Sequence, residues 1–312
     1  MAIVLATAVA TVGVVPAVAG DGEFSDTLHE LDLLHLQDRH DEVHAGVDRA
    51  LSRGGALGRG GLSEREQAEL YMRRARAIVA EVELSYYSDE MPGDEARRLL
   101  SEAEEHAERA IELNPELADS YFWKGAAMGT RGVIRGVLRA LFMAGSIRDL
   151  GEAALERNPD HTESHFLLAQ LYDELPGRPL SFGNDARAVS LARRAHDLHE
   201  AERLDWEIEM RYDSVEVGVA ERLWSRNWSE RRRERRHDGI REDYADATDA
   251  LERSYTYEGS LELKPISDRD EARQILSNVI ERLEAVEAAG ELSRRQRTDL
   301  EAAREHAEDW GM

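Results

Sequence analysis

Cysteine is absent from all 312 residues, and that absence excludes several kinds of chemistry. Disulfides, thiolate zinc sites, cysteine nucleophiles and a lipid-modified N-terminal cysteine all need a thiol that this sequence does not have. Runs of alternating polar and apolar residues, which are typical of β-strands, are also lacking. The sequence therefore predicts an all-α protein whose stability comes from helix packing.

Lysine is scarce, occurring only at Lys124 and Lys264, and basic residues are outnumbered by acidic ones. The chain has 40 lysines and arginines against 64 aspartates and glutamates, which gives a net charge of −24. Such an acidic chain is not expected to have a general affinity for nucleic acid or anionic membranes.

Recognisable catalytic motifs are also lacking, because the sequence has no nucleophile elbow and no kinase-like set of motifs. Two histidine pairs, His40/His44 and His161/His165, have the one-turn spacing that can bind a metal. Neither pair has a marked third ligand, and surface or packing roles explain both. We therefore predict a protein that is not an enzyme and has no metal site or cofactor.

The N-terminal residues 1–19 are uncharged and apolar and end in Ala17-Val-Ala19. Small residues in this pattern suit a signal peptidase, so we predict a cleaved signal peptide and a periplasmic or otherwise exported protein. No basic residue precedes the apolar run, which a start site assigned too far downstream would explain. An uncleaved anchor is the alternative, although the run is short for a membrane span.

Apolar periodicity and helix caps divide the rest of the chain into three regions. Residues 20–62 are predicted to form two short helices followed by a glycine-rich linker at 54–61. Residues 63–200 are predicted to form a repeat core. The core begins at a capping box from Ser63 to Glu66. Residues 201–312 form a C-terminal helical region that includes a helix over 204–224. Its arginine-rich run at 229–236 is interpreted as a solvated, ion-paired helix face.

Within the core, the helix end AIELNP at residues 110–115 recurs as ALERNP at 154–159 and, without its proline, as AHDLHE at 195–200. Aligned on the prolines, Tyr121 matches His165, Gly125 matches Ala169, and Met128 matches Tyr172. Bulky, small and bulky residues at these spacings are typical of tetratricopeptide repeats. The small residue lies where two helices cross closely. The predicted fold is therefore a tetratricopeptide-like α-solenoid of helical hairpins with extra C-terminal helices.

Two segments depart from the plain repeat. Residues 130–136, TRGVIRG, lengthen the distance between the two Asn-Pro helix ends. Residues 171–183, LYDELPGRPLSFG, replace a tight turn with a stiffer loop containing two prolines. One interpretation is a rigid connector in which Phe182 covers the core. The other is that this loop and residues 131–139 border a single concave site for a ligand or partner.

At these residues, roughly 63–200, the chain resembles the T component of TRAP transporters. The resemblance rests on YFWKG at 121–125, the glycine-rich insertion, the Asn-Pro helix end and LPGRPLSFG at 175–183. It implies an exported, non-catalytic accessory subunit that binds a periplasmic solute-binding protein, a small organic acid or an apolar ligand. A looser likeness, to microtubule-dynamics-regulator repeats, involves the same Asn-Pro region and insertion. The alternative function is a generic tetratricopeptide adaptor for protein–protein interaction, and a homo-oligomer stays open.

The same resemblance supplies the candidate binding residues. They are Tyr121, Trp123, Gly125, Arg131, Arg135, His165, Tyr172, Pro176, Gly177, Phe182 and Gly183. Among them, Arg131 and Arg135 have the chemistry to bind a carboxylate through bidentate hydrogen bonds.

Overall fold

The computed structural model describes residues 22–56, 61–203 and 213–312, and of residues 53–56, 137–140 and 202–203 only the backbone. The predicted signal peptide therefore lies outside the described residues. The same is true of the rest of the glycine-rich linker at 57–60 and of Trp206 and Met210 in the predicted helix over 204–224.

The described chain is all-helical, as the sequence predicts, and no strand occurs within it. The α-helices are α1 Gly22–Leu36, α2 His40–Ala56, α3 Glu64–Tyr86, α4 Gly93–Leu113, α5 Ala118–Arg135, α6 Val137–Arg157, α7 Thr162–Glu174, α8 Asp185–Arg203, α9 Asp213–Arg226, α10 Glu230–Asp246, α11 Ala250–Tyr255, α12 Asp268–Ala289 and α13 Arg294–Asp309. A short 3-10 helix, Tyr257–Ser260, follows α11. None of the described helices combines the length and the apolar character that crossing a bilayer requires.

The contacts divide the chain into an N-terminal unit, Met1–Ser164, and a C-terminal unit, His165–Met312. The boundary falls inside α7. The predicted limits after residues 62 and 200 follow the sequence repeat and stay predictions.

In the N-terminal unit, α1 and α2 pack on α3 through a small apolar cluster that includes Leu31, Val43, Val47 and Leu70. Helix α2 continues through Gly54 and Gly55 and ends at Ala56, so the first three residues of the predicted linker at 54–61 are helical. Each helix residue adds a backbone hydrogen bond, which offsets much of the entropy that a glycine loses.

Helices α3 to α6 pack consecutively, α3 on α4, α4 on α5 and α5 on α6, and α3 also contacts α5. This is the arrangement of successive helical hairpins in a tetratricopeptide array. The Ser63 hydroxyl accepts the Glu66 backbone N–H and the Glu66 carboxylate accepts the Ser63 N–H, which completes the predicted capping box. Ala103 and Ala110 of α4 are fully buried, as expected for small residues at a close crossing.

The insertion at residues 130–136 forms helix rather than a loop. It extends α5 to Arg135, and α6 begins at Val137 directly after Gly136. Gly136 has a φ of +108°, a backbone conformation that glycine adopts without the penalty of a side chain. The extra residues therefore lengthen a hairpin whose two helices turn at this one glycine.

In the C-terminal unit, α9 contacts α8, α12 and α13, and α12 contacts α13. Ser267 and Ser293 cap α12 and α13, and the C-cap of α12 is Gly290, which has a φ of +76°. The core of this unit lies along α9 and α12 and includes Val215, Leu223, Leu276 and Leu283.

Candidate functional site

The candidate residues in the N-terminal unit are mostly held by neighbouring helices. The Tyr121 hydroxyl donates to the Pro115 carbonyl at 3.0 Å, and the Arg157 guanidinium lies 3.9 Å from the Tyr121 ring centre. Trp123 is 2% exposed and packs edge-on against Phe122. Gly125 is also buried. These contacts are what a helix-packing role requires.

Arg131 makes a two-pronged ion pair with Glu104, at 2.6 Å and 2.7 Å, which ties α5 to α4. Burial raises the pKa of Glu104 in spite of the opposing effect of Arg131. A ligand carboxylate would have to displace Glu104 to reach the fork of Arg131. Arg135, at the end of α5, is exposed.

In the C-terminal unit, the candidate residues surround the proline-glycine loop. The Tyr172 ring meets the Phe182 ring at 5.5 Å and the Tyr255 ring at 5.4 Å, both edge-on. The Gly183 N–H donates to the Pro176 carbonyl at 3.1 Å and so closes the loop. The Gly177 carbonyl accepts the Leu180 N–H at 3.2 Å. Phe182 thus contacts Tyr172 within this unit, and the connector and binding interpretations of the loop both stay predictions.

Position 183 requires a glycine because the backbone of Leu175 lies so close to it: an added Cβ would lie 1.8 Å from the Leu175 carbonyl oxygen.

His165, another candidate residue, is fully buried, and its Nε2 lies 2.9 Å from the Ser254 hydroxyl. Arg131 and Arg135 belong to one unit and the loop to the other, so a concave site shared by the two stays a prediction.

A buried network of charges lies in the C-terminal unit, where the sequence predicts no site. Arg226 pairs with Asp268 at 2.8 Å and with Glu258, and Arg193 pairs with Glu258 at 3.1 Å and Glu271 at 2.7 Å. Burial acts to raise the pKa of Glu271, but its basic neighbours, Arg193 first, lower it to about 2. The pKa of Glu258 is lowered as well, against the effect of burial, by Arg226 and Arg193, so the network keeps these two glutamates ionised.

Four of these side chains line a cavity of about 670 Å³ within the C-terminal unit: Arg193, Arg226, Glu258 and Glu271. Val219, Ile240 and Leu263 supply apolar wall, and His196 lines another part of it. Burial acts to lower the pKa of His196, but the Asp197 and Glu216 carboxylates outweigh it and raise the pKa to about 9. Within the described residues, Arg193 and Arg226 pair with carboxylates of the same unit, so the network fastens helices together.

A pattern in the sequence could have revealed this network. Asp268 lies one turn before Ala272, and the stripe continues through Leu276 and Val279 on the buried face of α12. A charge in line with an apolar stripe is expected to be buried and to need a partner. The partner itself cannot be read from the pattern, because Arg226 is 42 residues away.

On α10, Arg233 is the buried residue, while Arg231, Arg232, Arg235 and Arg236 are exposed. The solvated part of the predicted helix face is therefore seen. Within the described residues, none of these four arginines forms an ion pair with a carboxylate. The predicted ion pairs of this helix face are therefore not seen.

The predicted histidine pairs do not make a metal centre in the part of the chain that the structure describes, where no group of three or more ligating side chains occurs. His40 and His44 lie near the acids Asp38 and Glu81. His161 lies near Asp119 and Glu163, at 3.7 Å and 3.5 Å.

These features define an all-α helical-repeat protein. Comparison with known proteins shows which proteins part of the chain is similar to. Residues 29–172 match the model of the family described as Regulator of microtubule dynamics protein 1-3. Regulator of microtubule dynamics protein 1 from Bos taurus is 35% identical over 105 residues, which are 33% of this chain and 32% of that protein. The protein of the same name from Pongo abelii is 34% identical over 105 residues, with the same shares. The match spans about a third of the length of these relatives.

The comparisons overturn the resemblance to the TRAP transporter T component. Three predictions that depended on this resemblance are also wrong: the transport function, the periplasmic solute-binding protein as a partner, and the solute or organic-acid ligand. The matched region includes the Asn-Pro helix end and the insertion, which carried the looser likeness to microtubule-dynamics-regulator repeats. It ends at Tyr172, before the proline-glycine loop that was the most specific part of the transporter resemblance.

Proposed function

We propose that this protein is a non-catalytic adaptor whose helical repeats bind a segment of a protein partner. The observation that carries the proposal is the exposed apolar surface of α6, where Phe142 is 85% and Leu141 is 40% exposed. A large aromatic side chain in water forgoes about 1.5–3 kcal/mol that burial would provide. Aromatic residues of this kind are also frequent anchors of protein interfaces.

The local structure supports a binding role for this part of α6. The other face of the helix is used for packing, since Ala144, Ile147 and Ala154 are buried. Phe142 therefore lies on a helix whose position is fixed by its core face. It also lies in the residues that match the regulator family, inside the lengthened hairpin.

Site-specific photo-crosslinking in the native host tests the proposal. A benzophenone amino acid at position 142 is expected to crosslink one discrete partner. The same probe at Arg98, which is exposed on α4, serves as the control. The purified partner should then bind the Phe142→Ser variant at least about tenfold more weakly, which corresponds to the loss of one buried aromatic anchor. Equal crosslinking from both positions, or unchanged affinity, would reject α6 as the binding surface.

A second candidate function is regulation of microtubule dynamics, which the name of the two relatives supports. The shared region is a third of those proteins, so this activity depends on whether the repeats carry it. Turbidity of polymerising tubulin, with and without the full chain, tests it directly. A changed polymerisation rate that Phe142→Ser abolishes would support it, and an unchanged rate at micromolar protein would reject it.

Export is also part of the proposal, and it competes with direct action on microtubules because the two need different compartments. The supporting observation is the Ala17-Val-Ala19 triplet behind an apolar run. N-terminal sequencing of the protein from its native host should give a mature start at Gly20. An intact chain beginning at Met1 in the cytoplasm would reject export.

A further inference from the structure

Helix α10 divides its arginines between two environments. In the run RRRERR at residues 231–236, Arg233 is directed into the C-terminal unit and is 6% exposed. The remaining four are exposed, and we call them the outer arginines: Arg231, Arg232, Arg235 and Arg236. At i, i+1, i+4 and i+5 they form two adjacent rows on one side of the helix.

Two contacts fix the position of this helix. Arg233 donates to the Ile266 carbonyl at 2.9 Å and pairs with the buried Glu271 at 2.9 Å. On the same helix, the Ile240 carbonyl approaches Gly259 so closely that a Cβ on the glycine would lie 2.5 Å from the oxygen. The outer arginines therefore project from a helix that is anchored by a buried ion pair and by a close backbone contact.

Trp228 positions two of the outer arginines. The Arg232 and Arg236 guanidiniums lie 4.9 Å and 5.8 Å from the Trp228 ring centre. The tryptophan backbone is itself fixed, because its N–H donates to the Asp268 carboxylate at 2.8 Å and its carbonyl accepts the Asp268 N–H at 2.9 Å. A guanidinium stacked on an aromatic ring keeps its N–H groups free to donate, and it loses less entropy when it binds a carboxylate.

The charges around the outer arginines decide which partner they suit. They lie on a chain of net charge −24, with Glu234 and Asp238 on the same helix. The arginine run spans about 8 Å along the helix axis, at 1.5 Å per residue. A long polyanion such as a nucleic acid, or an anionic membrane, would extend beyond the arginines onto acidic surface. A short acidic segment fits within the two rows.

We propose that the outer arginines of α10 form a docking surface for a short, carboxylate-rich segment of a protein partner. The inference deepens the adaptor function and rests on it, because it names the chemistry of what the adaptor binds. It is nevertheless carried by a separate surface, since α10 lies outside the residues that match the regulator family. Among the described residues, no carboxylate pairs with the four outer arginines, so each guanidinium can supply the charge-assisted hydrogen bonds that a carboxylate accepts.

Fluorescence anisotropy with the full chain and a fluorescein-labelled hexaglutamate peptide tests the proposal. Replacing the four outer arginines with alanine should weaken binding of the peptide by roughly 10- to 100-fold. The matched control removes two exposed arginines elsewhere in the unit, Arg241→Ala with Arg253→Ala, and should change the affinity less than about twofold. Circular dichroism should show equal helicity in all variants.

A second pair of variants separates fork recognition from charge alone. Arg232→Lys with Arg236→Lys keeps both charges and removes the planar forks, so the affinity should fall between those of the wild type and the alanine variant. Equal affinity of the wild-type chain and the fourfold alanine variant would overturn the proposal. Tighter binding of a 20-base-pair DNA duplex or of anionic vesicles than of the peptide would overturn it as well, by assigning the arginines to a polyanion.

The outcome is independent of the test of α6. Loss of peptide binding in the fourfold alanine variant supports the acidic-segment surface whether or not Phe142 crosslinks a partner. A crosslinked partner at Phe142 together with an unaltered peptide affinity would keep the adaptor function and reject only the role of α10.

Discussion

At the residue scale, single positions in this protein are constrained by burial of charge and by backbone approach. Asp299 is 3% exposed, accepts the Ser214 N–H at 3.2 Å and lies close enough to Asp213 to feel its charge. Gly183 approaches the Leu175 carbonyl where no side chain fits. Each of these constraints gives a direct prediction.

The first prediction is that Asp299 weakens the fold as it ionises. Burial, and then the charge of Asp213, raises the pKa of Asp299 from 3.8 to about 7. The folded state therefore binds the proton more tightly than the unfolded state. The contribution of Asp299 to stability should be fully present below pH 4 and should be lost as the pH rises through 7, a change on the order of 4 kcal/mol.

Replacing Asp299 with asparagine removes the charge and keeps an oxygen that can accept the Ser214 N–H. We expect the variant to be more stable than the wild type at pH 8, and the difference to be smaller at pH 5. Urea denaturation at the two pH values measures this. The same difference at both would show that Asp299 does not titrate near neutral pH.

The second prediction compares two glycines of one loop. Gly183→Ala should destabilise the C-terminal unit by about 1–3 kcal/mol, because the new methyl group meets backbone that must move. Gly177→Ala is the matched control, since the nearest atom to its added Cβ is the Gly183 carbonyl oxygen at 3.4 Å. Urea midpoints of the two variants should differ clearly. Equal midpoints would mean that the loop adjusts freely at both positions.

At the element scale, helices in both units are joined by buried ion pairs as well as by apolar stripes. Asp32 of α1 accepts from Arg73 of α3 at 2.9 Å and 2.8 Å. Arg226 of α9 pairs with Asp268, which begins α12. Such pairs fix the register between helices, although isolated buried pairs contribute little net stability over apolar packing.

Breaking the buried ion pair at Arg226 is predicted to lower the free energy of unfolding much more than breaking an exposed ion pair. Arg226→Met leaves Asp268 and Glu258 with fewer partners in a buried place, which should lower the free energy of unfolding by about 3–5 kcal/mol. Arg39→Met, which breaks an exposed pair with Glu42, serves as the control and should have no measurable effect. Chemical denaturation checks both. Similar midpoints for the two variants would show that the buried network is dispensable.

The register of the repeat gives a further prediction. Gly125 and Ala169 are both buried at the small position of the pattern. Leucine at either position should overpack the helix crossing and cost about 1–3 kcal/mol. A denaturation midpoint unchanged in both variants would mean that the repeat register is wrong.

At the scale of the whole molecule, the excess of acid makes stability depend on salt. With a net charge of −24, self-repulsion opposes the compact state. The Debye length shortens from about 10 Å at 0.1 M salt to about 3 Å at 1 M. The urea midpoint should therefore rise with NaCl over this range and should respond equally to KCl at the same ionic strength. A flat or falling midpoint would show that attractive surface pairs outweigh the repulsion.

The helical class, the capping boxes and the small residues of the repeat could all be predicted from the sequence, because they depend on neighbours within a few residues. Ser63 and Glu66 are three positions apart, and their mutual hydrogen bonds need only the helix between them. Asp268 could have been recognised as a buried charge because it shares its register with Leu276. The family likeness was assigned wrongly because it depended most on the proline-glycine loop, whereas the residues that match the regulator family end at Tyr172, before that loop.

Tertiary structure decided the features that depend on distant residues. Arg131 carries the same chemistry as Arg135, yet only the fold brings Glu104 to its fork. From the sequence alone, the six charged residues at 231–236 cannot be divided into buried and exposed ones. Which arginine is directed to Asp268 and Glu271, and which remain outside, depends on residues more than 30 positions away. Local hydrogen bonds and periodicity fix a helix within a few turns, whereas long-range packing selects which charges are buried and therefore which are available to bind a partner.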